Sequence, residues 1–191
     1  MKKNIIYLCF SCLSLLSIHN NIKAQTSTSK ALTELQPVTN SDFETGDMTG
    51  WKHWRTKFCS ITKDAHSGKY ALQVGPERAF GVQEVKVKPN SLYRISAFVK
   101  TDSGAEEIQL KISDYGGAAM SVSSALTAYT KVSIDFQTAF SVDNLLISFI
   151  HPTGNGSGFA DQIELTYLGE APEPKIQEFV KFPERIVKED V

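Results

Sequence analysis

The side chains able to do covalent chemistry are few and scattered. Past the first two dozen residues the chain holds only three histidines, His53, His66 and His151, with no His-Glu-x-x-His helix and no Gly-x-Ser-x-Gly elbow. Gly154-Asn155-Gly156-Ser157-Gly158 is rich in glycine, but no lysine follows it, so it reads as a hairpin loop rather than a phosphate cradle. Its Asn155-Gly156-Ser157 triplet fits a glycosylation acceptor, a coincidence in a bacterial-type export context. Aspartates and glutamates are plentiful, so a carboxylate pair for glycoside hydrolysis stays open as an alternative, although no residue marks one out. The expectation is no catalytic residue.

The aromatic and amide-bearing positions suit non-covalent recognition better. A ligand held without covalent chemistry is served by an exposed ring beside polar groups in a shallow cleft. Trp51, directly after Thr49-Gly50, reads as core, whereas Trp54 falls on the other side of an extended segment and is the better platform. Arg78-Ala79-Phe80 follows the Gly75-Pro76 turn and places a guanidinium and a ring at a cleft edge. Asp114-Tyr115-Gly116-Gly117 ends a strand with backbone room for a ligand, and His151 ends another. The candidate ligand-binding set is Trp54, Arg78, Phe80, Asp114, Tyr115 and His151. Phe98 is either wet or packed. Arg55, Arg78 and Lys111 raise the possibility of an anionic glycan, with solvated surface charge as the plainer reading.

Positioning such groups requires strands. From Asn40 to about Leu168, short runs of β-branched and aromatic residues are separated by Gly, Pro, Asn and Asp. The runs are Phe58–Thr62, Tyr70–Val74, Gly81–Val87, Leu92–Thr101, Ile108–Ser113, Ala118–Ser123, Thr130–Thr138, Leu145–His151 and Phe159–Leu168. Ile108, Leu110 and Ile112 alternate with Gln109, Lys111 and Ser113, and Val132, Ile134 and Phe136 alternate with Lys131, Ser133 and Asp135. Period-two alternation buries one face and wets the other, as in antiparallel sheets. The fold class expected is all-β, a jelly-roll β-sandwich of two antiparallel sheets.

The ends read differently. Lys2 and Lys3, the apolar stretch Ile5 to Ile18, and Ala24 before Gln25 make residues 1–24 a signal peptide, too short for a membrane span. Ser11-Cys12 offers a lipoprotein alternative, disfavoured by the very short apolar run before it. Residues 25–35 form a flexible lead-in, 36–169 the sandwich, and 170–191 a charged linker or docking tail. The expected location is therefore secreted, periplasmic or cell-surface, with no transmembrane span in the mature chain. Cys9 and Cys12 leave with the signal, so Cys59 is a lone, buried and inert thiol. A net charge of -1 gives no footprint for nucleic acid.

Four segments carry a family resemblance. Asn40-Ser41-Asp42-Phe43-Glu44-Thr45-Gly46-Asp47-Met48-Thr49-Gly50-Trp51 resembles the opening of carbohydrate-binding modules of the family 4, 9 and 22 group. Ala65-His66-Ser67-Gly68-Lys69-Tyr70-Ala71-Leu72, Leu92 to Lys100, and Gly158 to Leu165 follow in the same order, covering about residues 36–169. The resemblance implies a galactose-binding-like jelly roll that binds a polysaccharide or oligosaccharide without catalysis. It also implies a structural calcium ion held by the Glu44 and Asp161 carboxylates with the carbonyls of Asp42 and Lys69. His66 stands where some relatives offer a further carboxylate, and imidazole is a poor calcium ligand. Partners would be a glycan and either a glycan-degrading enzyme or an envelope complex. A lyase or hydrolase on the same scaffold, or an envelope protein-interaction domain, are the alternatives.

Overall fold

The computed structural model describes residues 38–54, 58–102, 107–152 and 156–173. The signal peptide, the lead-in, Arg55, the tip of the 154–158 loop and most of the 170–191 tail lie outside the described residues.

Ten strands are described: β1 (Lys52–Trp54), β2 (Cys59–Thr62), β3 (Ala71–Val74), β4 (Ala79–Lys86), β5 (Ser91–Thr101), β6 (Ile108–Ser113), β7 (Met120–Ser124), β8 (Thr130–Gln137), β9 (Asn144–His151) and β10 (Gly158–Glu170). They form two five-stranded sheets, in the orders β1-β4-β9-β6-β7 and β2-β3-β10-β5-β8, with every pairing antiparallel. This is a jelly-roll β-sandwich. Nine strands match runs expected from the sequence; β1 is an addition, three residues long at a sheet edge.

Alternation sets the core. Along β6, Ile108, Leu110 and Ile112 point inward and are fully buried, while Gln109, Lys111 and Ser113 point out. Along β4 the inward set is Ala79, Gly81, Gln83 and Val85. The second sheet contributes Tyr93, Ile95, Ala97 and Val99 from β5, and Val132, Ile134 and Phe136 from β8. Cys59 lies in this layer too, its thiol 3.3 Å from the Phe80 carbonyl across the sandwich, and burial pushes its pKa up to about 11.

Trp51 fixes the start of the domain to this core. It is 5% exposed and packs on Phe43 and Phe149 at centroid distances of 5.4 and 5.8 Å. Its indole N–H donates to the carbonyls of Thr39 and Asn40 at 3.1 and 3.3 Å, so burying the ring strands no donor. The Gln83 amide holds the same segment twice, accepting from the Thr39 N–H at 2.7 Å and donating to its carbonyl at 2.9 Å. Gly50, at φ +81, is required here: a Cβ would sit 2.8 Å from the Thr39 side chain.

Phe149 is fully buried on the central strand of its sheet. Replacing it with alanine should cost about 3–5 kcal/mol through lost burial and the cavity left behind. Urea unfolding of Phe149→Ala measures this; a loss under about 1 kcal/mol would mean that Phe149 is not central to the core.

Candidate functional site

The outer face of the first sheet carries an open groove of about 480 Å³, lined by Arg78, Phe80, Gln109, Lys111, Ala119, Ser121, Ile150 and Pro152. Its size falls among those of small-molecule sites. Strand register explains its floor. Phe80 of β4 pairs with Ile150 of β9, and Ile150 pairs with Gln109 of β6, so these three stand side by side on one face. The adjacent row runs Ser148, Lys111, Ser121 across β9, β6 and β7. An aromatic ring and an aliphatic side chain thus adjoin an amide, a hydroxyl and an ammonium group. Arg78 stands at one end with its guanidinium 5.4 Å from the Phe80 ring centroid. The neighbouring carboxylate of Glu107 is engaged: hydrogen bonds from Ser123 and Gln109 hold it below its ordinary pKa.

Of the six candidate ligand residues, the structure brings Arg78 and Phe80 together in this groove. Trp54 is the cross-strand partner of Phe80, which puts its backbone on the neighbouring edge strand. Tyr115 must be corrected. It is 6% exposed, its ring lies edge-on to Phe136, and its hydroxyl donates to the Ala118 carbonyl, so the turn aromatic is packing rather than platform. Asp114 holds the turn above it at φ 63, a conformation Asp tolerates better than most residues, and it does not line the groove. His151 is likewise corrected, being fully buried at the inward end of β9. Its Nδ1 lies 3.2 Å from the Glu107 carbonyl, which can only accept, so the proton is on Nδ1. Its Nε2 has no partner.

Gln109, Ser121 and Ile150 were not foreseen. The alternation of β6 already turned Gln109 outward, but Ile150 sits in the nearly continuous apolar run 144–151, where period two does not show. One end of the other sheet's outer face is covered, while Arg94, Asp135, Lys131 and Glu164 stay exposed on the rest of it. The 63–69 segment lies over the covered end, with the His66 ring stacked on Phe98 at 3.7 Å, His66 Nδ1 at 3.1 Å from Gln162 Oε1, and Lys100 paired with Asp64 at 2.6 Å. Phe98 is therefore packed.

Two carboxylates hold this covering segment down. Asp161 Oδ2 accepts the N–H groups of His66 and Ser67, both at 3.0 Å, while Oδ1 accepts that of Gln162 at 2.7 Å. Glu44 Oε1 accepts the N–H groups of Lys69 and Tyr70 at 2.7 and 2.8 Å. Gly68 leaves room for the latter, since a Cβ would fall 2.4 Å from Glu44 Oε1. Asp161 is fully buried, and desolvation raises its pKa against the pull of its three N–H donors. A bulge in β10 after Asp161, with Gln162 at φ 49, sets this carboxylate in place. The expected calcium ligands Glu44, Lys69 and Asp161 thus meet at one turn, and Asp42 stands two residues before Glu44, whose N–H its Oδ1 accepts at 3.3 Å. The donors are all oxygens, which suits calcium. Among the described residues no three His, Cys, Asp or Glu side chains gather as a metal cluster, so two carboxylates and two carbonyls would need waters to complete the shell.

A two-layer sandwich with a shallow, partly aromatic groove on one sheet defines a ligand-binding jelly roll. The chain belongs to the carbohydrate binding domain family whose profile matches residues 36–155. Among solved structures, TmCBM61 in complex with β-1,4-galactotriose superposes with a TM-score of 0.57 at 25% identity, covering 69% of this chain and 99% of that one. The CBM22-1 xylan-binding domain of Paenibacillus barcinonensis Xyn10C does so with a TM-score of 0.52 at 20% identity, covering 72% and 97%. A keratan-sulfate endo-1,4-beta-galactosidase of Sphingobacterium multivorum is 25% identical over 136 residues, which are 71% of this chain and 32% of that enzyme. The chain therefore spans about a third of the length of this curated relative.

Asp161→Asn tests the carboxylate clamp. An amide cannot accept at both of its ends, so it must leave one backbone N–H without its acceptor, at a cost of about 1–3 kcal/mol. Thermal and urea unfolding should register that loss, and unchanged stability would show that the clamp is not needed to hold the turn.

Proposed function

We propose that the chain binds a β-1,4-linked, galactose-containing oligosaccharide in the groove on the first sheet and does no chemistry on it. The observation that carries this reading is the row Phe80, Ile150, Gln109 on the outer face of a carbohydrate-binding domain. The half-buried Phe80 ring, with Ile150 packed beside it at 8% exposure, offers an apolar patch for the C–H face of a sugar ring, while the Gln109 carbonyl and Ser121 hydroxyl reach for its hydroxyls. Support for galactose comes from the TmCBM61 complex and from the endo-galactosidase relative. Support for a non-catalytic role comes from the lining, in which none of the described residues is a carboxylate, whereas glycoside hydrolysis ordinarily needs two. As an exported module the chain would hold glycan near an enzyme or envelope partner, raising its local concentration.

Calorimetry with β-1,4-galactotriose tests the site. Phe80→Ala should raise Kd at least tenfold, about 1.4 kcal/mol, with folding checked by circular dichroism. An unchanged Kd in a folded variant would place the sugar elsewhere.

The same proposal includes a structural calcium at Asp42, Glu44, Lys69 and Asp161, where the ion would add charge neutralisation to a buried carboxylate. Calcium at a hundredfold its Kd should stabilise the native chain by about 2.7 kcal/mol. A chelator should abolish the gain, and Glu44→Gln should blunt it. Thermal unfolding that is blind to calcium would remove the ion from the account.

A further inference from the structure

We infer that the groove takes a sulfated glycan, with Arg78 and Lys111 each receiving an anionic substituent; this rests on the sugar site proposed above. The argument begins with which cations are neutralised. Elsewhere on the sheets Lys86 pairs with Asp143, Arg94 with Asp135, Lys100 with Asp64 and Lys131 with Glu164, all within 3.6 Å. Arg78, Lys111, Lys52, Lys63, Lys69 and Lys88 make no ion pair with another described residue, and of these Arg78 and Lys111 line the groove. No carboxylate of the described residues lines it, and that of Glu107 is held by Ser123 and Gln109. Among the described residues the groove is thus cationic without an internal counter-charge.

The placement of the two cations suits a substituted oligosaccharide. Arg78 precedes β4 by one residue, two before Phe80, and its backbone lies on one side of the Phe80–Ile150–Gln109 row. Lys111 lies one row to the other side, level with Ser148 and Val82. Four residues along a strand separate these levels by about 13 Å. The two cations thus enter the groove from opposite sides of the ring row, with Arg78 leaning its guanidinium over Phe80. Between them the ring and the aliphatic side chain receive the uncharged faces. Guanidinium binds sulfate oxygens in a bidentate fork, and an ammonium binds them as a point charge. The sulfated substrate named for the endo-galactosidase relative favours sulfate over carboxylate as the source of the charge.

Calorimetry on the whole protein would compare keratan sulfate oligosaccharides, the same oligosaccharides after chemical desulfation, and uncharged or carboxylated controls (β-1,4-galactotriose and oligogalacturonate). The sulfated ligand should bind at least tenfold tighter than its desulfated form in 50 mM salt, with the preference shrinking as salt rises. Arg78→Gln and Lys111→Gln should each cost more affinity for the sulfated ligand than for its desulfated form, so that the ratio between the two falls at least threefold. Equal affinity for sulfated and desulfated ligands would overturn the inference yet leave the sugar site standing. So would a preference that survives in the double variant. Oligogalacturonate binding as tightly as the sulfated ligand would overturn the assignment to sulfate. No binding of any saccharide would overturn the sugar site and this inference together.

Discussion

Four backbone N–H groups of a single turn, those of His66, Ser67, Lys69 and Tyr70, are accepted by two carboxylates from opposite ends of the domain. Glu44 comes from the first described loop and Asp161 from the last strand, so the turn is the place where the ends of the sandwich are tied together. By drawing the 63–69 segment over β10 and β5, the clamp seats His66 on Phe98 and covers that end of the second sheet. The first sheet keeps an open groove on its outer face.

Much of the architecture was legible in the residues. Alternation in β6 and β8 named the inward and outward faces correctly, and the burial of Trp51 followed from its place after Thr49-Gly50. The short edge strand β1 was not legible, because three residues cannot display a period. Arg78 and Phe80 both line the groove, and a turn followed by a cation and a ring is a signal that local sequence can carry. Tyr115 and His151 went astray for one shared reason. Each sits where a strand ends, and the sequence does not say whether such a residue turns out to solvent or back under the sheet. The Tyr115 hydroxyl bound to the Ala118 carbonyl and the His151 Nδ1 bound to the Glu107 carbonyl accompany the inward turn of both. Gln109 and Ile150 join the site through register between strands about 40 residues apart, which no local pattern encodes.

Fold and task remain separate in such a scaffold. The sandwich supplies stiffness, and the groove draws on only a few outward side chains from β4, β6, β7 and β9 together with flanking Arg78 and Pro152. Those outward positions carry little of the core, so they are free to vary in charge and shape without loss of the fold. The same architecture can therefore recognise chemically different saccharides by changing one face of one sheet.

Cys59 gives this arrangement an internal gauge. Its sulfur belongs to the second sheet, yet it contacts the carbonyl of Phe80, whose side chain floors the groove on the opposite sheet. A buried thiol with a pKa of about 11 is almost inert toward alkylating reagents at neutral pH, so labelling requires the two layers to part. The rate at which a thiol reagent finds Cys59 is then a direct clock for the breathing of the sandwich beneath its own binding surface. A saccharide seated on Phe80 would slow that clock without ever touching sulfur.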